Sequence, residues 1–289
     1  MSLHQGSYAH RYGAQMTDAD LTDFEHTTFS HGGKTRQVFR LGTGPAVIVI
    51  AEIPGITPKV VEFARKVSAI GCTAVLPHLF GVPGKDPAPG GKVSLSGIAL
   101  SLSSVVPACV SREFTTMAVG KTSPVVTWLR ALAADEHERC GGPGVGAVGM
   151  CFTGGYALAM AADDRLLAPV LSQPSMPIAI TKKQKHSIDI SPADLAKVKD
   201  RCANQGLEVI GLRFKSDRLV PAERFEFLRE QLGDAFIGVE LDGADANPDA
   251  AMSPHSVLTE HLIDEPGSAT RAALDQVLDH FRTRLLVDA

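Results

Sequence analysis

One cysteine of the sequence, Cys151, stands in a setting that favours nucleophilic chemistry. It follows the small, apolar and strand-like run 146–150 and precedes Thr153, Gly154 and a helix-like stretch over residues 156–162. A nucleophile on a sharp turn between a strand and a helix needs small neighbours, because two backbone segments pass close beside it. The N-terminus of the following helix favours developing negative charge on the sulfur. The pattern therefore predicts a nucleophilic thiol at the end of a strand.

A nucleophilic thiol needs a base, and the base needs an acid that orients it. In one large class of folds with alternating strands and helices, the acid and then the histidine follow the nucleophile along the chain. Asp217 lies just past a strand-like segment, and His255 follows the loop after the last such segment. His261 is the alternative base, but it lies further into a stretch that is typical of a helix. We therefore predict that Cys151, Asp217 and His255 act together.

A fourth candidate, Glu52, follows the apolar run 46–51. A carboxylate at the end of a buried strand is unfavourable unless it has a partner. Glu52 is therefore either a solvated strand-end acid or a carboxylate that helps to manage the thiol proton. In the second case the backbone N–H groups of Ile53 and Phe152 lie near each other and form an oxyanion hole, where each donor contributes roughly 3 kcal/mol.

The composition is that of an ordinary globular protein of 289 residues, with 44% hydrophobic and 21% charged residues. The net charge of −4 and the lack of a long basic run argue against nucleic acid or a membrane surface as partner. Five cysteines without a C-x-x-C spacing argue against a disulfide framework and against a metal site. The N-terminal segment lacks the apolar core of a secretory signal, so we expect a cytoplasmic protein, a monomer or small homo-oligomer.

The elements that must position these residues alternate along the chain. A hairpin is expected around the turn at residues 31–33, and strands and helices then follow one another. The predicted strands cover residues 46–51, 73–76, 145–150, 167–171, 207–214 and 236–241. The predicted helices begin at Pro58 and Pro192 and cover residues 122–134, 155–162, 221–232 and 268–286. Such alternation is typical of an α/β fold with a mostly parallel sheet and helices on both faces.

Three segments stand outside this alternation. Residues 1–23 are a polar extension, which leaves residues 24–289 as one domain. Residues 81–110 are rich in Gly, Pro, Ser and Leu and form either a mobile cover over a site or a long loop. Residues 242–254 are a polar loop after the last predicted strand, at the edge where loops of such sheets build sites.

In their order along the chain, several motifs resemble the dienelactone hydrolase family. They are Glu52-Ile-Pro-Gly, Pro77-His-Leu-Phe, the G-x-C-x-x-G-G turn around Cys151, Asp217-x-x-Val-Pro and His255. The resemblance covers roughly residues 30–285 and implies an α/β-hydrolase fold in one domain without a cofactor. It also implies hydrolysis of cyclic enol-lactones and other esters. By this resemblance Cys151 is the nucleophile, His255 the base, Asp217 its orienting partner, and Glu52 the group that helps to activate the thiol.

The sequence departs from the family pattern at two positions and in the long segment 81–120. Thr153 stands where the family more often has glycine, and Thr259 stands about one helical turn after His255, where founding members have an arginine that holds a substrate carboxylate. Arg112 and Arg218 are candidate substitutes for that arginine, with Arg112 as the predicted substrate-binding residue. For each, a solvated surface charge is the alternative.

Three other functions compete with ester or lactone hydrolysis. A thioesterase or acyltransferase would use the same residues on the same scaffold. A non-catalytic small-molecule binder would not need all four polar side chains. The run 144–149 formally matches the dinucleotide fingerprint G-x-G-x-x-G, but it lies within a predicted strand instead of between a strand and a helix, which argues against NAD.

Overall fold

An eight-stranded sheet forms the centre of the structure, a computed structural model that describes residues 18–89, 99–104, 111 and 113–286. The order of the strands across the sheet is β1-β2-β4-β3-β5-β6-β7-β8. The strands are β1 (Glu25–His31), β2 (Lys34–Leu41), β3 (Ala46–Ile50), β4 (Thr73–Pro77), β5 (Val145–Met150), β6 (Leu166–Ser172), β7 (Val209–Phe214) and β8 (Phe236–Leu241). These bounds agree with the predicted strands to within two residues.

The strands are antiparallel at one edge of the sheet and parallel in the rest of it. β1 and β2 pair antiparallel as the predicted hairpin, and β2 pairs antiparallel with β4. From β4 to β8 every neighbouring pair is parallel. β3, β4, β5 and β7 are buried along their whole length, as expected for parallel strands that helices cover on both faces. The predicted α/β-hydrolase architecture is therefore confirmed.

The helices begin at the residues whose chemistry favours a helix start. The hydroxyl groups of Thr57, Ser191 and Ser268 each accept a hydrogen bond from a backbone N–H in the first turn of the helix that follows. The helices are α1 (Pro58–Ala69), α2 (Val125–Cys140), α3 (Gly154–Met160), α4 (Lys182–Lys185), α5 (Pro192–Gln205), α6 (Ala222–Leu232) and α7 (Ala269–Leu285). No helix within the described residues is both long and apolar enough to cross a membrane.

Apolar side chains fill both faces of the sheet. On one face Val60 of α1 and Phe281 of α7 belong to one buried cluster. On the other face Leu129 of α2, Tyr156 of α3 and Phe225 of α6 belong to a second. The sheet therefore lies between two helical layers, and its strand ends are the part that is free to build a site.

Helix α2 differs from its prediction, since it extends to Cys140 and not to residue 134. The extra turn carries Glu136, which is fully buried and accepts a hydrogen bond from Nε of Arg40 on β2 at 2.7 Å. Its polar sequence is typical of a loop when read alone, and the contact with a distant strand explains why it is helical. Gly141, with a φ of 71°, ends the helix.

Candidate active site

Cys151 stands at the bend between β5 and α3, where the backbone has a φ of 52°. A positive φ is uncommon for a residue other than glycine and persists only where the surroundings hold it. The neighbouring glycines are needed there, since a Cβ on Gly149 would lie 2.1 Å from the carbonyl oxygen of Thr153, and one on Gly154 would lie 2.4 Å from Cα of Pro174. The predicted sharp turn is therefore present.

The side chain of Thr153 holds this turn in place. This role accounts for a threonine where the family more often has glycine. Its side chain is fully buried, and its Oγ1 accepts a hydrogen bond from the backbone N–H of Met150 at 2.9 Å. The same hydroxyl lies 2.8 Å from the carbonyl oxygen of Ile50, to which it donates. One hydroxyl thus ties the end of β5 to the end of β3, beside Cys151.

His255 and Asp217 form the pair that the sequence predicts. Nδ1 of His255 donates to Oδ2 of Asp217 at 2.6 Å, and both side chains are buried. Nε2 of His255 is buried and makes no hydrogen bond of normal geometry within the described residues. This is the arrangement in which an acid orients an imidazole and leaves its far nitrogen for chemistry.

The imidazole of His255 lies close to the sulfur of Cys151 and to the carboxylate of Glu52. Sγ of Cys151, a ring nitrogen of His255 and a carboxylate oxygen of Glu52 all lie within 4.8 Å of one another. Burial by itself lowers the pKa of His255, but the charge of Cys151 and the hydrogen bond to Asp217 oppose it, so that the pKa lies well above its usual value. The geometry thus favours an imidazolium next to the sulfur.

Glu52 is buried at the end of β3 and receives three hydrogen bonds from neutral groups. Its Oε1 accepts from the hydroxyl of Thr259 at 2.5 Å, and its Oε2 accepts from the hydroxyl of Ser256 at 2.7 Å. Nε2 of Gln173 donates to Oε2 at 3.3 Å. Glu52 is therefore not a solvated strand-end acid.

Sequence reasoning missed Gln173 and Ser175, which follow β6. Gln173 has a φ of 36° and also accepts a hydrogen bond from the backbone N–H of Val257 at 3.2 Å, so it joins Glu52 to the segment that carries His255. Oγ of Ser175 lies 3.4 Å from Sγ of Cys151. Their position directly after β6, the strand next to β5, could have indicated them, because the carboxyl ends of neighbouring parallel strands lie at the same edge of the sheet.

His261, the alternative base, lies in a turn and not in the predicted helix. Its Nδ1 accepts from the backbone N–H of Ser256 at 3.1 Å, and its Nε2 donates to the carbonyl oxygen of Met252 at 3.0 Å. Burial lowers its pKa, which favours the neutral ring. Both ring nitrogens of His261 are therefore hydrogen-bonded to backbone groups. The sequence pattern predicted a helix here because it does not show these side-chain contacts, which stabilise a turn instead.

The remaining predicted residues are placed as follows. Ile53 lines the cavity beside Cys151, and Phe152 follows Cys151 in the first turn after β5. The parallel pairing of β3 with β5 brings these two positions to the same edge of the sheet. Arg112 lies outside the described residues. Arg218 is exposed and lines a neighbouring cavity on the Asp217 side of His255.

A cavity of about 360 Å³ opens next to Cys151. Among its lining residues, the candidates for chemistry are Glu52, Cys151 and His255. Its volume is within the range of small-molecule sites, roughly 300–1,000 Å³. The candidate residues therefore face a space that holds a small substrate.

The comparisons with known proteins agree with this architecture. The model of the dienelactone hydrolase family matches residues 34–208, more than half of the chain. The chain belongs to the dienelactone hydrolase family. No curated protein matched the sequence.

Solved structures support the fold of this family member. A candidate dienelactone hydrolase from Klebsiella pneumoniae is 15% identical with a TM-score of 0.58, over 89% of this chain and 97% of that chain. A dienelactone hydrolase-like promiscuous phosphotriesterase from metagenomic libraries is 15% identical with a TM-score of 0.53, over 91% and 98%. A zinc-bound cold-adapted esterase from an Arctic intertidal metagenomic library is 13% identical with a TM-score of 0.51, over 92% and 97%. At these identities the likeness concerns the fold alone.

The other described cysteines of this dienelactone hydrolase family member lack the setting of Cys151. Burial raises the pKa of Cys72 to about 11, and it also raises the pKa values of Cys140 and Cys202. Such thiols stay protonated at neutral pH and are poor nucleophiles. Cys109 lies outside the described residues.

Two alternative ligands can be compared with the residues present. The glycines of run 144–149 fall almost wholly inside β5, and a Cβ on Gly146 would lie 3.0 Å from the ring of Phe281, so helix packing accounts for that glycine. Cysteine, histidine and glutamate are all zinc ligand types, so Glu52, Cys151 and His255 offer a set that a metal ion could use. Both oxygens of Glu52 already accept hydrogen bonds, however, and a metal would have to displace them.

Proposed function

We propose that this member of the dienelactone hydrolase family hydrolyses a carboxylic ester or lactone through Cys151, His255 and Asp217, with help from Glu52. The thiolate of Cys151 attacks the carbonyl carbon, and the electron pair of the C=O bond moves to oxygen. As the tetrahedral intermediate collapses, the C–O bond to the leaving group breaks and His255 gives its Nε2 proton to the departing alkoxide. The products of this half-reaction are an alcohol and an acyl-enzyme thioester.

The second half-reaction returns the enzyme to its starting state. Nε2 of His255, now neutral, takes a proton from water as the water oxygen attacks the thioester carbonyl. The carbon–sulfur bond then breaks, so that the acid leaves and the thiolate and the imidazolium are restored. The backbone N–H groups of Ile53 and Phe152 hold the oxyanion in both halves of the reaction.

The observation that carries the proposal is the geometry around His255. Its Nδ1 is held by Asp217 at 2.6 Å, its Nε2 has no hydrogen-bond partner within the described chain, and a ring nitrogen lies within 4.8 Å of the sulfur of Cys151. A thiol on a strained turn, an oriented imidazole and a cavity at the same point are the parts that covalent acyl transfer needs.

Glu52 supports the ion pair without binding the sulfur in this arrangement. Its carboxylate lies within 4.8 Å of both Cys151 and His255, yet it accepts hydrogen bonds from Ser256, Thr259 and Gln173. A fixed negative charge at that distance stabilises the imidazolium. We propose that Glu52 in this way helps to keep the thiol proton on the imidazole ring of His255. We further propose that the enzyme is cytoplasmic and that its domain spans residues 24–289.

A panel of p-nitrophenyl esters, lactones and thioesters tests the proposal. Wild type should turn over esters or lactones, and mass spectrometry of the quenched enzyme should detect an acyl group on the peptide that contains Cys151. C151A should abolish both signals while its far-UV spectrum and melting temperature stay close to wild type. Full ester turnover by C151A would reject the mechanism, and turnover of thioesters alone would favour the thioesterase alternative.

A further inference from the structure

We propose that the enzyme selects neutral, apolar esters and that Glu260 discriminates against substrates that carry a carboxylate. The inference rests on the ester hydrolysis proposed above and deepens it, since it names the charge class of the substrate. It is carried by the charges and apolar groups that line the cavity next to Cys151.

Within the described residues, the cavity wall carries two acids, and its one expected cation is the imidazolium of His255, which faces the sulfur of Cys151 and is bound by Asp217. Two of its lining residues are acids, Glu52 and Glu260. Neither lysine nor arginine occurs among the lining residues that the structure describes. A carboxylate bound there would approach two acids, while the imidazolium of His255 is already engaged by Asp217 and Cys151, so its binding is opposed by like-charge repulsion.

Glu260 is the acid that is available to act on a substrate. Glu52 is saturated by hydrogen bonds, whereas no hydrogen bond or ion pair of Glu260 is found within the described chain. Glu260 is partly buried in the turn that follows His255. When ionised, its carboxylate therefore presents a negative charge to the cavity without a hydrogen-bond or ion-pair partner in the described chain.

The electrostatic environment of Glu260 supports this view. Burial is the main reason that its pKa is raised to about 7, and the charges of Glu52, Asp86 and Glu62 raise it further while Lys59 lowers it. The carboxyl group thus lies in surroundings that already disfavour negative charge. A substrate carboxylate in the same space meets the same opposition.

The mouth of the cavity is apolar. Leu102, Leu219 and Met252 line it and are 55%, 51% and 64% exposed. They lie on three separate segments, namely residues 99–104, the turn after β7 and the loop after β8. Large exposed apolar side chains that converge on one opening favour an apolar ligand. The acyl or alcohol part of the substrate is therefore expected to be uncharged and hydrocarbon-like.

Two esters of equal chain length test the proposal. In p-nitrophenyl valerate the acyl chain ends in a methyl group, and in p-nitrophenyl hemiglutarate it ends in a carboxylate. At about pH 8.5, above the raised pKa of Glu260 so that its carboxyl group is ionised, we expect wild type to prefer the valerate by at least about ten-fold in kcat/KM. In E260Q the ratio of hemiglutarate to valerate turnover should rise about five-fold or more, since the variant removes the charge and keeps the shape. A ratio within one variant does not change when the fraction of folded enzyme changes.

The control is E226Q, which removes an exposed charge on α6, away from the cavity, and should leave the ratio at its wild-type value. R112A provides the opposite comparison, because Arg112 is the residue predicted to bind a substrate carboxylate. Equal turnover of the two esters by wild type, or an unchanged ratio in E260Q, would overturn the charge selection while leaving ester hydrolysis intact. The charge selection would also be overturned if wild type preferred the hemiglutarate and R112A abolished that preference. Failure of wild type to cleave either ester or to form an acyl adduct would overturn both proposals.

Discussion

Replacement of Thr153 by valine isolates the hydroxyl that fixes the turn beneath Cys151. Valine has nearly the shape of threonine, so the change removes the oxygen and opens no cavity. The variant loses the acceptor for the backbone N–H of Met150, 2.9 Å away, and the donor to the carbonyl oxygen of Ile50, 2.8 Å away. Because Thr153 is fully buried, water cannot take the place of the hydroxyl.

The expected loss of stability follows from these two contacts. A buried donor left without a partner costs about 1–3 kcal/mol, and the carbonyl oxygen suffers less because it has a second lone pair. We expect T153V to lower the free energy of unfolding by about 2 kcal/mol. In a protein of this size that corresponds to a fall in melting temperature of roughly 4–8 °C.

The expected loss of activity comes from the strained turn that carries Cys151, the proposed nucleophile. Cys151 keeps its φ of 52° only while its neighbours hold the turn. A looser turn moves the sulfur away from His255, and a displacement of about 1 Å lowers the rate by roughly 100-fold. We therefore expect kcat to fall about 10- to 100-fold with little change in KM.

Urea denaturation and steady-state ester kinetics measure the two effects, and T153S is the matched control. Serine keeps the hydroxyl and loses only a methyl group, so it should retain most of the activity and be less stable than wild type by about 1 kcal/mol. If T153V and T153S have the same melting temperature and the same kcat, the hydroxyl does not hold the turn and the reasoning is wrong.

Three further predictions concern protonation. H255A should lower kcat/KM by about 100-fold or more, whereas H261A should mainly lower the melting temperature, and the opposite ranking would identify His261 as the base. Because the pKa of His255 is raised, the ion pair is lost only as the pH rises through that raised value. The basic limb of kcat/KM should therefore lie above pH 7 and move to lower pH in D217N. Buried Asp189 has its pKa raised by burial from 3.8 to about 7. Unfolding releases its proton between those values, so wild type should lose stability as the pH rises through this window, by up to about 4 kcal/mol. In D189N urea denaturation at pH 5 and pH 8 should show a flatter dependence.

The sequence was sufficient to predict the strands, the sharp turn and the order of the candidate residues, because these depend on local patterns. An apolar run bounded by glycines predicts β5 and its turn without knowledge of the rest of the chain. The same reasoning fails for the last turn of α2, where Glu136 is helical and buried because Arg40 lies opposite it. That contact joins residues far apart in the chain, and local propensity contains no information about it.

The residues around Glu52 show the same limit within the site. Ser256, Thr259 and Gln173 are ordinary polar residues in polar segments, and their types alone do not indicate a partner. Sequence order shows that their segments follow the ends of β6 and β8, but not which way each side chain points. Only the assembled edge of the sheet shows that their donors converge on one carboxylate.

Thr259, one of the departures from the family pattern, bears on the charge of the substrate. It stands where the resemblance implies an arginine for a substrate carboxylate, and here its hydroxyl binds the carboxylate of Glu52 instead. Neutral donors satisfy the hydrogen bonds of Glu52 but leave its negative charge in place, whereas an arginine would have cancelled it. Once Glu260 is ionised, the described residues that line the cavity beside Cys151 therefore carry more negative than positive charge. Position 259 therefore supplies no cation for an anionic substrate, and under the selectivity proposed above the apolar lining of the cavity suits a neutral one.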